Sequence, residues 1–550
     1  MLPTKWGQGQ LFAFSALDGE SFFRDDFTGT LAGDKIGVIF HTKCRRTLFL
    51  TDAAHDFSCV TSDMLLLKNA SVIFAGRHLV VGEIGGAANV FVSVDGDCEI
   101  IKKADTEIHD TSDGEFTAVL KRNGRFAFAF AKGADEAAEL CEKGMSLDPE
   151  KLKAQKKKPY EGIPEDMEYA ALYAKCVSVM KSQLYSPEGN IKRIWSTPDR
   201  LPHRNMWLWD SVFHAIGHRH LDAKLAENLI LALFDVQQDG YIPHMATPDF
   251  CSGVTQPPVI AWGSWMVYEK SSDKEFLKTV FEKNKAFLLW CRSNRRKSAK
   301  ELYSWHTKPE LNNRCDESGM DNSPRFDTAS DLYAIDFSCY MANETRAMQK
   351  IASELGDKDG EAFFAEWNEK IKSDINATLW CDEDGFYYDY DIQNGCFNKV
   401  QSVASFLPVF AGVCDERQCE RLVAHLENPG EFGTELPIPS ISKKDATFGS
   451  DMWRGPVWIN YNYMISMGLK EYGYCGKAEE IVAKTLAIIN EWYSLTGTVF
   501  EFYDSENRTP PYCFNRKGEI VEPYDFRLKY QSIRDYGWTS TLALDMICEK

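Results

Sequence analysis

The run Asp316-Glu317-Ser318-Gly319-Met320-Asp321-Asn322-Ser323-Pro324-Arg325 sets three carboxylates among six residues, with little apolar material between them. Such a run cannot be a core helix or strand. Gly319 admits a backbone that a residue with a Cβ would resist, and Asn322-Ser323-Pro324 signals a turn leading into a helix. The stretch predicts a loop that delivers acids to a surface just ahead of a long helix. Two carboxyl groups are nearly all that glycoside hydrolysis requires, although a solvated capping loop has the same composition.

Working outward, the pattern is helical from about residue 165 onward, with Leu225, Leu229, Leu233 and Val236 at helical spacing. Helices are expected over about 165–186, 206–219, 222–238, 257–270, 273–297, 325–355, 359–378, 400–411, 415–427, 454–471, 475–494 and 531–548. Twelve are too many for one simple bundle. A ring of six inner and six outer helices, an (α/α)6 barrel, closes that number, and its long loops would build a pocket at one mouth. Asp239-Gly240-Tyr241 and Asp384-Gly385-Phe386 echo one another as a weak internal repeat.

Upstream, residues 1–145 read as β. Lys35-Ile36-Gly37-Val38-Ile39-Phe40, Thr47-Leu48-Phe49-Leu50, Ser71-Val72-Ile73-Phe74 and Asn89-Val90-Phe91-Val92-Ser93-Val94 are strand-like, and Arg125–Phe130 alternates with three Phe on one face. Short strands at this spacing predict a β-sandwich domain. The lysine-rich Lys151–Lys158, within 146–164, reads as a solvated linker. The expected protein is mainly α: a β-sandwich over 1–145, a linker over 146–164 and the barrel over 165–550.

Of 550 residues, 44% are hydrophobic and 26% charged, ordinary for a globular chain. A net charge of -19 argues against nucleic acid, which favours a basic face. No segment approaches the ~18 apolar residues of a membrane span, and no leader pattern is visible. Sixteen cysteines scattered from Cys44 to Cys548, none in a C-x-x-C pair, fit a reducing compartment. A cytoplasmic protein is expected, without membrane or nucleic-acid partners.

Aromatic and polar residues gather in Met206-Trp207-Leu208-Trp209-Asp210-Ser211, Tyr303-Ser304-Trp305-His306, Asp451-Met452-Trp453-Arg454-Gly455-Pro456-Val457-Trp458 and Tyr536-Gly537-Trp538-Thr539-Ser540. Sugars present apolar C–H faces within a belt of hydroxyls, so aromatic platforms ringed by Asp, Gln and Arg suit them. Filling a large core is the plainer use of the same tryptophans. A second carboxylate is expected on another loop. Glu501, in Phe500-Glu501-Phe502-Tyr503-Asp504, is the best candidate, with aromatic neighbours to bury it partly and fix its rotamer; a solvent-facing strand edge is the alternative. His214, His218 and His220 have a spacing that could hold a metal, but no further ligand of the H-E-x-x-H kind is near, and no metal is expected. No nucleotide-binding or serine-nucleophile motif occurs, so no cofactor is expected.

Together these motifs resemble the clan of inverting α-glycosidases that includes glycoside hydrolase families 63 and 37, family 63 above all. Processing α-glucosidase I, bacterial mannosylglycerate and glucosylglycerate hydrolases, and trehalase belong to that clan. The resemblance rests on Trp209-Asp210-Ser211-x-Phe213, Thr255-Gln256-Pro257-Pro258, Glu317 to Arg325, Trp453 to Trp458, Glu501-Phe502-Tyr503 and Tyr536-Gly537-Trp538, in the family's order. It implies an (α/α)6 barrel, with Asp321 as general acid and Glu501 as general base. An inverting pair would stand ~6.5–9.5 Å apart, a retaining pair ~5–5.5 Å. By resemblance, Trp209, Asp210, Gln256, Trp453, Arg454 and Trp538 would grip the non-reducing sugar. Glu317 would orient the acid or bond a hydroxyl, and Trp305 and Tyr503 complete the expected substrate-binding set. The residues alone do not separate Asp321 from Asp316 or Asp327. The N-terminal region resembles the β-sandwich domains that precede such barrels in several sugar-processing families. The small mannosylglycerate and glucosylglycerate hydrolases largely lack one, which weighs against a glycerate substrate. Residues 432–451 read as a lid or as a tolerated insertion.

The leading expectation is an inverting, exo-acting α-glucosidase or α-mannosidase of small α-glycosides or oligosaccharides. Such barrels also host epimerases and phosphorylases. An epimerase would need His203, His214 or His244 in the pocket, and a phosphorylase an anion site in place of Glu501. A non-catalytic carbohydrate-binding protein would hold Asp321 and Glu501 far apart or facing away from each other.

Overall fold

The computed structural model describes residues 1–550 apart from 34, 312, 313, 518, 519, 522, 523 and 526. One antiparallel sheet runs, in spatial order, Leu11–Phe12, Gly29–Ala32, Gly37–His41, Arg45–Thr51 and Asn89–Val94. A second runs Glu99–Lys103, Thr106–Asp110, Phe116–Arg122, Arg125–Ala131, Leu79–Glu83, Ser71–Gly76, Met64–Leu67 and Phe57–Val60. Alternation sorts the two faces of Arg125–Ala131. Phe126, Phe128 and Phe130 join the core between the sheets, where Phe40 stacks on Phe128 at 5.0 Å. Ala127, Ala129 and Ala131 face the other way, and α1 (Ala134–Ser146) lays Ala137 and Cys141 on them.

The lysine-rich stretch expected as a solvated linker is instead a helix, α2 (Pro149–Lys157), begun by Asp148, which accepts the N–H groups of Glu150 and Lys151. Lys156 is fully buried and pairs with Asp18 and Asp63, which Lys181 also grips at 2.8 and 2.7 Å. These partners lie far away in sequence, so composition alone suggests solvent.

Among the described residues, twelve further helices follow: α3 (Ala170–Ser182), α4 (Leu208–His218), α5 (Ala223–Asp235), α6 (Ile260–Ser271), α7 (Lys274–Arg295), α8 (Ile335–Leu355), α9 (Lys358–Thr378), α10 (Leu407–Phe410), α11 (Glu416–Glu427), α12 (Ile459–Glu471), α13 (Cys475–Thr496) and α14 (Gly537–Cys548). Helices α4, α6, α8, α10, α12 and α14 each pack on the next, and α14 returns to α4, so the ring closes into a helical barrel. Helices α3, α5, α7, α9 and α13 pack against ring helices. Every residue of α4 is buried, whereas α9 buries one stripe through Phe364, Trp367, Ile371 and Ile375. Aspartates 222, 273, 357 and 415 cap α5, α7, α9 and α11. The Asp-Gly echo marks two hairpin turns, closed by the Gln238–Tyr241 bridge and the Cys381–Phe386 pair.

Several expected helices are shorter than their spacing suggests, among them those expected over 325–355, 400–411 and 531–548. The acid run is followed by a single tight turn, Pro324–Phe326, and α8 begins only at Ile335. Arg325 is the cause. It is pulled into the interior by Asp336 and Asp389 at 2.6–2.9 Å, which bends the chain before the helix can start. The 400–411 segment holds a tight turn, Val403–Phe406, and the one-turn α10. The last helix starts at Gly537 rather than 531. Among the described residues, no helix is long and apolar enough to cross a membrane.

The β-sheet region is bolted to the barrel. Leu11 N–H donates to Asp535 Oδ2 at 2.8 Å, beside the start of α14, and Lys175 of α3 pairs with the same carboxylate at 2.8 Å. Arg200 donates to Asp26 at 2.9 Å and to the Phe14 carbonyl at 2.8 Å.

Candidate active site

The N-terminal ends of the ring helices open onto a cavity of about 450 Å³, a size that suits a small sugar ligand. Trp209 and Asp210 come from the first turn of α4, Gln256 from just before α6, and Trp453 and Trp458 from just before α12. Trp538 stands in α14, Asp321 comes from the acid run, and Glu501 follows α13. Segments far apart in sequence thus meet at one mouth. Trp453 and Trp458 stack face to face at 3.9 Å, and Trp538 meets Trp209 edge-on at 5.3 Å. Asp210 Oδ1, Trp538 Nε1 and Arg516 Nη1 are buried in this wall without a hydrogen-bond partner. Buried polar atoms are rarely left so, and sugar hydroxyls are suitable partners. Burial, with Asp199 and Glu501 nearby, pushes the Asp210 carboxyl well above the usual carboxylate range, which favours a neutral acid.

The acid run is shaped for this place. Cys315 N–H donates to the Asp321 carbonyl at 3.2 Å, and Asn322 links to Asp451 and to Trp453 N–H, each at 3.1 Å. Gly319 has φ 73°, and a Cβ there would lie 2.4 Å from the Trp209 ring. Gly319→Ala is therefore expected to cost about 1–2 kcal/mol from the backbone alone and to displace Trp209. Tryptophan fluorescence and turnover should both change; an unaltered spectrum would rule this out.

The two carboxylates have different surroundings. Asp321 Oδ2 accepts from Lys517 at 2.6 Å and Arg314 at 3.0 Å. Glu501 is buried, and Arg516 takes both its oxygens at 2.7 and 3.1 Å. A bidentate guanidinium suits an ionised carboxylate. Arg516 in turn donates to His203 Nε2 at 2.9 Å, and His203 Nδ1 donates to Asp199 at 2.5 Å. Burial and Arg516 hold His203 well below the usual histidine range, so it is neutral; burial raises Asp199 to about 7. Both ring nitrogens of His203 are thus committed to positioning Glu501. His244, also in the wall, is lowered to about 4 by burial and bonds Ser252 at 2.9 Å.

Asp321, Glu501, Trp209, Asp210, Gln256, Trp453 and Trp538 are brought together as expected from the sequence, but Glu317, Trp305, Arg454 and Tyr503 lie outside the cavity wall. Glu317 is fully buried, and its oxygens accept from Thr255 N–H, His306 N–H and Arg295 at 2.7–3.2 Å. That leaves it to orient the loop carrying Gln256 rather than to bond a sugar. Trp305 stacks on Phe337 at 3.9 Å and donates to Asp336 at 2.8 Å. Arg454 pairs with Asp327 at 2.6 Å, and the Tyr503 hydroxyl accepts from Phe500 N–H at 2.9 Å. The sequence reading missed the cations Lys308, Arg314, Arg516, Lys517 and Lys529 of the wall. Asn515-Arg516-Lys517 lies between Glu501 and the Tyr536-Gly537-Trp538 motif, and that position was the available signal.

Other candidates fall away from the site. His214 bonds Ser196 and His220 bonds Asp545, each at 2.8 Å, so the histidine series does not converge. Residues 432–451 are pinned: Leu436 N–H donates to Ser505, Ser440 to Pro456 and Ser442 to Gln401. A larger cavity of about 1280 Å³ opens at the opposite mouth. Its charges pair with one another, as in Arg346–Glu471, Lys350–Glu269 and Arg219–Asp545, and neither Asp321 nor Glu501 lines it.

A helical ring whose mouth sets two carboxylates among tryptophans is the site of a glycoside hydrolase. Residues 203–539 match the pattern of the mannosylglycerate hydrolase MGH1-like glycoside hydrolase domain, and the chain belongs to that family. A mannosylglycerate hydrolase of Thermus thermophilus is 28% identical over 53% of this chain and 89% of its own length. An uncharacterized protein of Borreliella burgdorferi is 27% identical over 48% of this chain; the match spans 54% of that relative's length. Among solved structures, a family 63 mannosylglycerate hydrolase of Thermus thermophilus in complex with glucose aligns with TM-score 0.55 at 25% identity, over 68% of this chain and 99% of that one.

Proposed function

We propose that the protein is an inverting, exo-acting α-glycosidase, an α-glucosidase or α-mannosidase of small α-glycosides or oligosaccharides, built on an (α/α)6 barrel behind an N-terminal β-sandwich domain. One observation carries the reading: Asp321 and Glu501, from different loops, line a single tryptophan-walled cavity. Asp321 gives its proton to the glycosidic oxygen as the bond to the anomeric carbon breaks. Glu501 takes a proton from the water that attacks the opposite face, so the configuration inverts. Room for that water requires a separation of ~6.5–9.5 Å. The orphaned atoms of Asp210 and Trp538 are suited to the hydroxyls of the sugar being released. Sixteen free thiols favour a reducing, cytoplasmic setting.

The epimerase reading is less well supported, because both nitrogens of His203 are already engaged. Phosphorolysis would need an anion site where Glu501 stands. The test is proton NMR of the first sugar released from α-linked gluco- and manno-disaccharides. The β-anomer is expected first, and neither Asp321→Asn nor Glu501→Gln should release it. An α-anomer, or turnover that survives Glu501→Gln, would refute the assignment.

A further inference from the structure

The wall around Asp321 carries more positive charge than its carboxylates can balance. Lys308, Arg314, Lys517 and Lys529 all face the cavity there. Asp316 takes Lys308 at 2.6 Å and Arg314 at 2.5 Å, and these cations hold its carboxyl at about 2 against the cost of burial. Asp321 receives Arg314 and Lys517 on one oxygen. Lys529 has no acceptor among the described residues; burial, with Arg516 and Lys517 nearby, lowers its ammonium to about 8. Among the described residues around Asp321, four cations thus face two carboxylates, Asp316 and Asp321. A general acid must arrive protonated, and with Asp321 neutral only Asp316 remains against the four.

Uncompensated charge in a half-enclosed site is costly, so substrate binding has to supply an anion. A carboxylate would cancel one of the three excess charges, and a phosphate monoester nearly two. Lysine ammonium groups and an arginine fork converging on one point suit phosphate oxygens. The Asp321 oxygen held by Arg314 and Lys517 marks that point. Because the acid stands beside the leaving oxygen, cations on its flank face the aglycone rather than the released sugar.

We propose that the substrate is a small α-glycoside whose aglycone bears a phosphate monoester held by Arg314, Lys517 and Lys529, and that this phosphate draws Arg314 and Lys517 off Asp321 so that the acid can keep its proton. The phosphate is a handle: no P–O bond breaks, and water still attacks the anomeric carbon. The inference rests on Asp321 being the general acid.

The test has two arms. In the first, glycerol phosphate is titrated calorimetrically into the wild-type protein, Lys529→Gln and Lys517→Gln. Binding should weaken at least about tenfold in each variant, the worth of one charge-assisted contact. Lys529 has no acceptor whose pairing would be lost, so Lys529→Gln should fold. In the second, kcat/KM is compared for gluco- and mannosides whose aglycone is neutral, carboxylated or phosphorylated. Phosphate should raise it at least about a hundredfold over the neutral partner, two such contacts, and that ratio should fall at least tenfold in Lys529→Gln. Glycerol phosphate that fails to bind, or binds all three proteins equally, overturns the proposal. So does a carboxylated substrate that outperforms the phosphorylated one. Inverting cleavage of neutral glycosides with no gain from phosphate would overturn it while leaving the hydrolase reading intact. Consumption of inorganic phosphate to form a glycosyl phosphate would overturn both.

Discussion

Asp321→Asn should lower turnover of an α-linked disaccharide about 10²–10⁴-fold, the usual worth of a positioned general acid, while the fold stays intact. Asparagine keeps the shape of the side chain but has no proton to give to a sugar alkoxide. The discriminating substrate is an α-glycosyl fluoride, because fluoride departs without being protonated. The variant should therefore hydrolyse the fluoride far better, relative to wild type, than it hydrolyses the disaccharide. Glu501→Gln should be slow on both, since water must still be activated. If Asp321→Asn lost equal activity on both substrates, the acid would have to be sought elsewhere, with Asp316 the nearest alternative. Asp316 is the weaker choice because Lys308 and Arg314 already hold it far down in the ionised range.

Arg325→Leu should be the most damaging single change to stability. Its guanidinium is fully buried and bonds Asp336 and Asp389 through four contacts of 2.6–2.9 Å. Those carboxylates also accept from Trp305 and from the N–H of Ile335, the first residue of α8. Leucine would leave two carboxylates buried without their counter-charge, a loss of about 3–5 kcal/mol where one partner of a buried pair is removed. Chemical denaturation should show the midpoint falling with little change in slope. Adding Asp389→Asn should recover part of the loss by removing one stranded charge. A single variant as stable as wild type would mean that the cluster is solvated and worth little.

The parts of this architecture legible from sequence are those written locally. Asp321 and Gly319 fall within one short run, and Trp209-Asp210 and Trp453 to Trp458 sit at helix starts, so motif and periodicity point the same way. The strand Asn89–Val94 is bounded as its alternation predicts. What stayed hidden depends on partners distant in the chain. Glu317 looked available for substrate, yet Thr255, His306 and Arg295 occupy it. The late start of α8 follows from Arg325 meeting Asp389. Helix α2 lies largely at the surface but needed Asp18 and Asp63 to neutralise its one buried residue, Lys156. The cations around Asp321 arrive from loops whose meeting no local spacing encodes.

The buried ion pairs that tie the sheets to the barrel have a thermodynamic consequence. Asp18 and Asp63 belong to the β-rich region and Lys181 to α3, while Asp535 beside α14 holds both Leu11 and Lys175. Parting the two regions would expose these charges singly while each half was still folded, an intermediate with little to stabilise it. Melting should therefore be shared, with the heat absorbed in one cooperative step rather than two. The N-terminal sheets then count as part of the enzyme's smallest folding unit, not as an accessory that could be shed.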